Sequence, residues 1–107
     1  MALSDEEIGF VTDLFSDLGP LTTRKMFGGL GIYLDGSIFA LMRSDGALLL
    51  KGAGDMIDIY EAEGWIRWTY QRKNGAQSAM PYWEIPDELR DDASAACDWA
   101  RSAIAHL

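Results

Sequence analysis

The chain has 107 residues, about half apolar and a quarter charged, which suffices for one core and one domain over residues 1–107 but not for two. A formal net charge of -8 argues against unaided binding to phosphate backbones. Cys97 is the single cysteine, which excludes an intrachain disulfide and fits a reducing compartment. No apolar run approaches the roughly 18 residues of a membrane-spanning helix. The acidic start, Met1 to Glu7, lacks the order of a signal peptide, so the expected location is cytoplasmic.

The charge is unevenly spread. Residues 1–21 hold five acids and no base, residues 22–73 hold seven bases against six acids, and residues 74–107 hold six acids against two bases. Only the middle segment has the composition for a basic patch.

Ser4 followed by Glu7 is a capping-box pattern, and Ile8, Val11, Leu14, Phe15 and Leu18 recur at helical spacing. The first helix is expected over residues 4–18, stopped by Gly19-Pro20. Asp35-Gly36 between two apolar runs predicts a two-residue hairpin turn. That turn pairs Ile32 with Phe39, Gly31 with Ala40 and Leu30 with Leu41. One face then carries Leu30, Ile32, Leu34, Phe39 and Leu41; the other carries Tyr33, Ile38, Ala40 and Met42 among glycines. Both faces are apolar, which calls for cover on each side or a partner on one.

Ser44-Asp45-Gly46 predicts a second turn and Ala47 to Lys51 a third strand. Asp55 is placed to cap a short helix ending near Ala62, with Met56, Ile59 and Tyr60 inward. Trp65 to Arg72 reads as a fourth strand, returning through Asn74-Gly75. The implied register sets Trp68 against Pro81, Ile66 against Trp83, Arg67 against Tyr82 and Thr69 against Met80. Pro81 cannot donate to a ladder, so its strand is expected at an edge. Leu89, Ala93, Cys97, Ala100, Ile104 and Leu107 mark a last amphipathic helix, capped by Asp87, Asp91 or Asp92. The expected class is α+β, in the order helix, three strands, helix, two strands, helix.

Few side chains suggest chemistry. Gly28-Gly29-Leu30-Gly31 lacks the ending of a P-loop and the spacing of a dinucleotide fingerprint. Its glycines are expected to permit close backbone approach, with a docking surface as the sharper alternative. Arg24 and Lys25 read as a solvated strand start or, with Arg67 and Arg72, as an anion or partner contact; Arg24, Arg67 and Tyr82 together also suit a polar anchor. Trp65, Trp68, Tyr70, Tyr82 and Trp83 read as core, with strand addition or dimerisation at that hairpin as a second option. His106 sits at a terminus and Cys97 on a helix stripe, so neither a metal site nor a catalytic nucleophile is expected.

Arg24-Lys25-Met26-Phe27-Gly28-Gly29-Leu30-Gly31-Ile32-Tyr33 resembles the opening motif of TfoX/Sxy competence-regulator N-terminal domains. Met80-Pro81-Tyr82-Trp83-Glu84-Ile85-Pro86-Asp87-Glu88 and Trp99-Ala100-Arg101 are similar to two later segments of that family. The resemblance implies an α-β(3)-α-β(2)-α antiparallel sheet with flanking helices, similar to a secretion-chaperone fold. It also implies a non-enzymatic regulatory module without a cofactor. Longer members are bacterial regulators of DNA-uptake competence, thought to act with the cyclic-AMP receptor protein and carrying a second, helical domain that is not seen here. A protein partner in transcription is therefore expected, through Arg24, Lys25, Gly28, Gly29, Tyr33, Arg67 and Tyr82. The alternatives are a small-ligand sensor or an enzyme with a pocket near Gly28-Gly29, and a homodimer formed through the sheet.

Overall fold

A computed structural model describes residues 3–26 and 28–107. Met1, Ala2 and Phe27 of the first motif lie outside the described residues. Helix α1 spans Asp5–Leu14 and is followed by one 3-10 turn, Ser16–Leu18. The strands are β1 (Leu21–Met26), β2 (Gly29–Leu34), β3 (Ser37–Met42), β4 (Leu48–Lys51), β5 (Ile66–Gln71) and β6 (Gln77–Glu84). Helix α2 (Met56–Ala62) joins β4 to β5, and α3 (Asp87–Arg90) and α4 (Ala93–Ala105) close the chain. The six strands form one antiparallel sheet in the order β1-β2-β3-β4-β6-β5.

The α+β class and the antiparallel sheet are as the sequence implied. The chain adds one strand, β1, which pairs Leu21–Met26 with Leu34–Gly29. Its Thr-Thr-Arg-Lys centre is exposed, so it has none of the apolar alternation that marks a half-buried strand. The closing helix is split, because the chain turns at Asp91 before Asp92 caps α4 through the Ala95 amide (3.1 Å).

Local chemistry explains most boundaries. Ser4 accepts from the Glu7 amide, while Glu7 accepts from the Ser4 amide, which closes the capping box. Asp35 and Gly36 both take positive φ (52° and 82°), the conformation of a tight hairpin turn. Asp55 precedes α2, but its side chain makes no capping hydrogen bond. Met56 and Tyr60 point into the core, whereas Ile59 is 40% exposed and Ile57 packs in its place.

The hairpin register holds only near its turn. Leu34 pairs with Ser37 and Tyr33 with Ile38, but a β-bulge then sets Ile32 against Ala40, Gly31 against Leu41 and Leu30 against Met42. Phe39 is the extra residue. Phe39, Ala40 and Met42 therefore join Leu30 and Ile32 in the main core under the helices. Leu41 turns to the opposite face. The expected face assignment is corrected accordingly: a one-residue slip moves every later side chain across the sheet.

The second hairpin is also irregular. Ile66 pairs with Glu84 and Arg67 with Trp83, while Thr69 pairs with Ala79. None of the four pairs expected from the Asn74-Gly75 turn is formed. Arg72 and Ala76 close a three-residue loop instead of a two-residue one. The strand bearing Pro81 lies inside the sheet, not at its edge: β4 flanks it on one side and β5 on the other. Pro81 is tolerated because it sits in the bulge and uses only its carbonyl, which accepts from the Gly52 amide (3.0 Å).

An aromatic block ties the helices to this hairpin. Tyr60 of α2 stacks on Trp65 (4.8 Å), contacts Trp83 (5.2 Å) and lies near Trp99 of α4 (6.2 Å). Its hydroxyl donates to the Lys51 carbonyl (3.1 Å), and burial pushes its pKa up.

Candidate functional site

The helices pack on one face of the sheet, and the other face is open. On it Leu41, Leu49 and Tyr82 form a second buried cluster, with Met26, Ile38, Ala47, Trp68 and Met80 packed around them. Gly31 provides the hollow into which three neighbours fold: the Tyr33 ring, Ile38 and Met26 lie 3.1 to 3.2 Å from where a Cβ would stand. Tyr82 and Trp68 approach to 6.4 Å at a tilted angle. Burial, and secondarily Tyr33, raises the Tyr82 pKa, so its phenol stays neutral.

A groove of about 380 Å³ crosses this face, bordered by Met26, Gly29, Leu41, Arg43, Ser44 and Trp68. Met26 lies on β1 and Trp68 on β5, the two edge strands. Five inter-strand steps of about 4.8 Å would hold flat edges about 24 Å apart. Both edges reach one groove because the sheet curls, as its two bulges encourage.

Arg43 organises the groove. Its Nε and Nη2 donate to the two carboxylate oxygens of Asp45 (3.2 and 3.1 Å), and it pairs with Glu84 at 3.4 Å. The guanidinium stands 5.7 Å from the centroid of Trp68. The Ala47 amide and Arg43 together hold the Asp45 carboxyl below its usual pKa. Reading the sequence singled out the Ser44-Asp45-Gly46 turn but not Arg43; the available signal was a base two residues before the turn's aspartate.

The residues picked from sequence divide between the two faces. Arg24 sits opposite Gly31, and Lys51 opposite Tyr82, so both share the open face with Tyr33 and Tyr82. Among the described residues neither base makes an ion pair. Lys25 points to the helix side, where it lines a 60 Å³ hollow with Leu3, Ile8, Gly28, Gly29 and Leu30. Arg67 also lies on the helix side. It stacks 4.5 Å from the Trp83 centroid and donates from Nε to the Met80 carbonyl (2.9 Å). Arg24, Arg67 and Tyr82 therefore do not form one anchor, and the four bases are not gathered into one patch. Gly28 takes positive φ (75°), and a Cβ on Gly29 would stand on the Met42 carbonyl oxygen, so backbone conformation accounts for the first glycine and close packing for the second. Cys97 is buried, donates its thiol to the Leu14 carbonyl (3.4 Å), and burial raises its pKa.

The strand–Gly28–Gly29–hairpin unit, the bulged Pro81 strand and the Trp99 helix thus form one structure. The model of the TfoX N-terminal domain matches residues 13–107. The chain belongs to the TfoX N-terminal domain family. A comparison with curated proteins returns no match. Membership supports the coarse reading of a competence-related regulatory module. In this TfoX N-terminal domain the W-A-R helix is a packing element: Trp99 meets Trp65 at 4.6 Å, Ala100 is buried, and Arg101 pairs with Asp98. Among the described residues no three His, Cys, Asp or Glu side chains are placed to hold a metal ion, and no helix is long and apolar enough to cross a membrane.

Proposed function

We propose that this TfoX N-terminal domain is a non-enzymatic interaction module that docks a protein of the transcription apparatus against its open sheet face. The observation that carries the reading is the segregation of charge. The open face presents Arg24, Arg43 and Lys51 beside its apolar cluster, with Asp45 and Glu84 already paired to Arg43. The helix layer carries Asp5, Glu6, Glu7 and Asp13 on α1 and Asp87, Glu88 and Asp98 on α3 and α4. A chain of net charge -8 thus keeps an uncovered apolar surface beside two bases, Arg24 and Lys51, that make no ion pair among the described residues. Such a surface suits a partner segment with apolar and acidic side chains. It suits a phosphate backbone less, because the whole-molecule field opposes the approach.

The hollow beside Gly28 and Gly29 measures only 60 Å³, against the several hundred typical of a metabolite pocket. This counts against a sensor enclosed there, while the 380 Å³ groove that Gly29 also borders lies open on the proposed docking face.

Affinity capture of the tagged protein from its own cells, with mass spectrometry of what co-purifies, tests the proposal. The expected result is a transcription regulator or polymerase subunit whose recovery falls with Arg24→Ala in a still-folded protein. Bait alone, or capture indifferent to Arg24→Ala and Lys51→Ala together, sinks it.

A further inference from the structure

The two edges of the sheet differ in kind. Edge strand β1 exposes Thr22, Thr23, Arg24 and Lys25, and such polar and charged residues discourage further pairing. Edge strand β5 reads Ile66-Arg67-Trp68-Thr69-Tyr70-Gln71 and has no such guard. Its single charge, Arg67, is folded back onto Trp83 and the Met80 carbonyl. Ile66 is 66% exposed and Tyr70 47% exposed; the other large apolar side chains this exposed lie on a helix or at the terminus. Ile66 pairs with Glu84 and Tyr70 with Ser78, and alternation along β6 puts both on the face of Met80 and Tyr82. Ile66, Trp68 and Tyr70 therefore form one apolar row along an unpaired edge.

We propose that β5 pairs antiparallel with β5 of a second copy about a two-fold axis at Trp68, so that the two sheets continue into one. In that register Ile66 stands across from Tyr70 of the second copy, twice, and Trp68 faces its own counterpart. The ends of the strand complete the match. Glu61 and Glu63 precede β5, and Arg72 and Lys73 follow it. Antiparallel pairing brings the acidic end of each copy to the basic end of the other, with Glu63 across from Lys73. This self-complementarity is what an isologous contact requires. The edge also lies in a stretch that is not acidic, so two acidic chains meet there with little repulsion. Residues 61–83 hold two acids and three bases, while the rest of the chain holds fifteen acids and six bases. Backbone hydrogen bonds would supply affinity and the apolar row register. This surface adjoins the groove assigned to the partner and shares Trp68 with it, and pairing leaves the open faces of both copies side by side.

Sedimentation analysis of the full chain over a wide concentration range tests the pairing. A species of twice 11.9 kDa is expected. Ile66→Glu alone and Tyr70→Lys alone each weaken self-association at least about tenfold, whereas the double variant sets opposite charges across each pair and regains it. Both positions are exposed, so the circular-dichroism spectrum should match wild type and thermal unfolding should match that of wild type diluted to its monomer, which keeps the reading clear of misfolding. A wild type that stays monomeric overturns the proposal, whatever else it binds. So do single variants that remain fully dimeric, and so does a folded double variant that stays monomeric.

Discussion

Gly52 lies where β4 ends and the aromatic block begins, and the structure fixes what a methyl group there would meet. A Cβ would stand 2.6 and 2.9 Å from two carbons of the Trp83 ring and 2.8 Å from Cε2 of Tyr60. Carbon atoms pack favourably at about 3.5–4.0 Å, so each ring must retreat by roughly 0.5–1 Å. Neither can do so freely. Both are fully buried, Tyr60 is held by its bond to the Lys51 carbonyl, and Trp83 is capped by Arg67. Overpacking of this kind costs about 1–3 kcal/mol, and loss of the Tyr60 hydrogen bond adds about 1 kcal/mol. For a domain near this size each kcal/mol moves Tm by about 4–8 °C. Gly52→Ala should therefore lower Tm by about 10 °C or more in a calorimetric or circular-dichroism melt. A variant within about 2 °C of wild type would refute the claim that close packing of Trp83 and Tyr60 anchors the β5–β6 hairpin.

Other outcomes follow from the same geometry. Gly9 lies inside α1 with nothing within 4 Å of its would-be Cβ, so Gly9→Ala should raise stability by about 0.5–1 kcal/mol in urea denaturation. Ser4→Ala removes the capping box and should cost about 1 kcal/mol in the same assay. Burial raises the Tyr60 pKa above its ordinary 10.0, so the neutral phenol is the form the fold favours. Its contribution is fully present below pH 10 and is lost as pH climbs from there towards the folded value. Denaturation curves of wild type should decline above pH 10, and Tyr60→Phe should show a shallower decline from a starting stability about 1 kcal/mol lower.

Sequence and structure agree where chemistry is local. The Asp35-Gly36 turn and the Ser4–Glu7 box each depend on residues a few positions apart and form as read, whereas the α-helix expected to run to Leu18 ends at Leu14 and only a 3-10 turn reaches Gly19. Agreement fails where the sheet decides. Nothing in Ser37–Met42 announces the bulge at Phe39, because a strand apolar on both faces satisfies either register. Only the finished core tells Leu41 from Met42. Strand β1 is legible only as a strand start at Arg24 and Lys25, because an edge strand guarded by those bases carries no apolar alternation. Pro81 misled in the other direction: an interior strand accepts it once a bulge removes the need for its amide. The candidate site suffered for the same reason. Tyr82 and Tyr33 were legible as aromatic residues near motif positions, but the face of each residue depended on registers that sequence alone left open. Arg67 was thus placed beside Tyr82, when it packs on the other side against Trp83.

The open face can be tested through its own methionines. Met26 and Met80 line that face, while Met56 is fully buried in the core beneath the helices and away from the groove. Methyl NMR of methionine-labelled protein, titrated with the partner recovered by affinity capture, reads both sides at once. Docking on the open face predicts shifts or broadening at Met26 and Met80, with Met56 nearly unmoved. Changes confined to Met56, or saturable binding that leaves Met26 and Met80 unchanged, would contradict it.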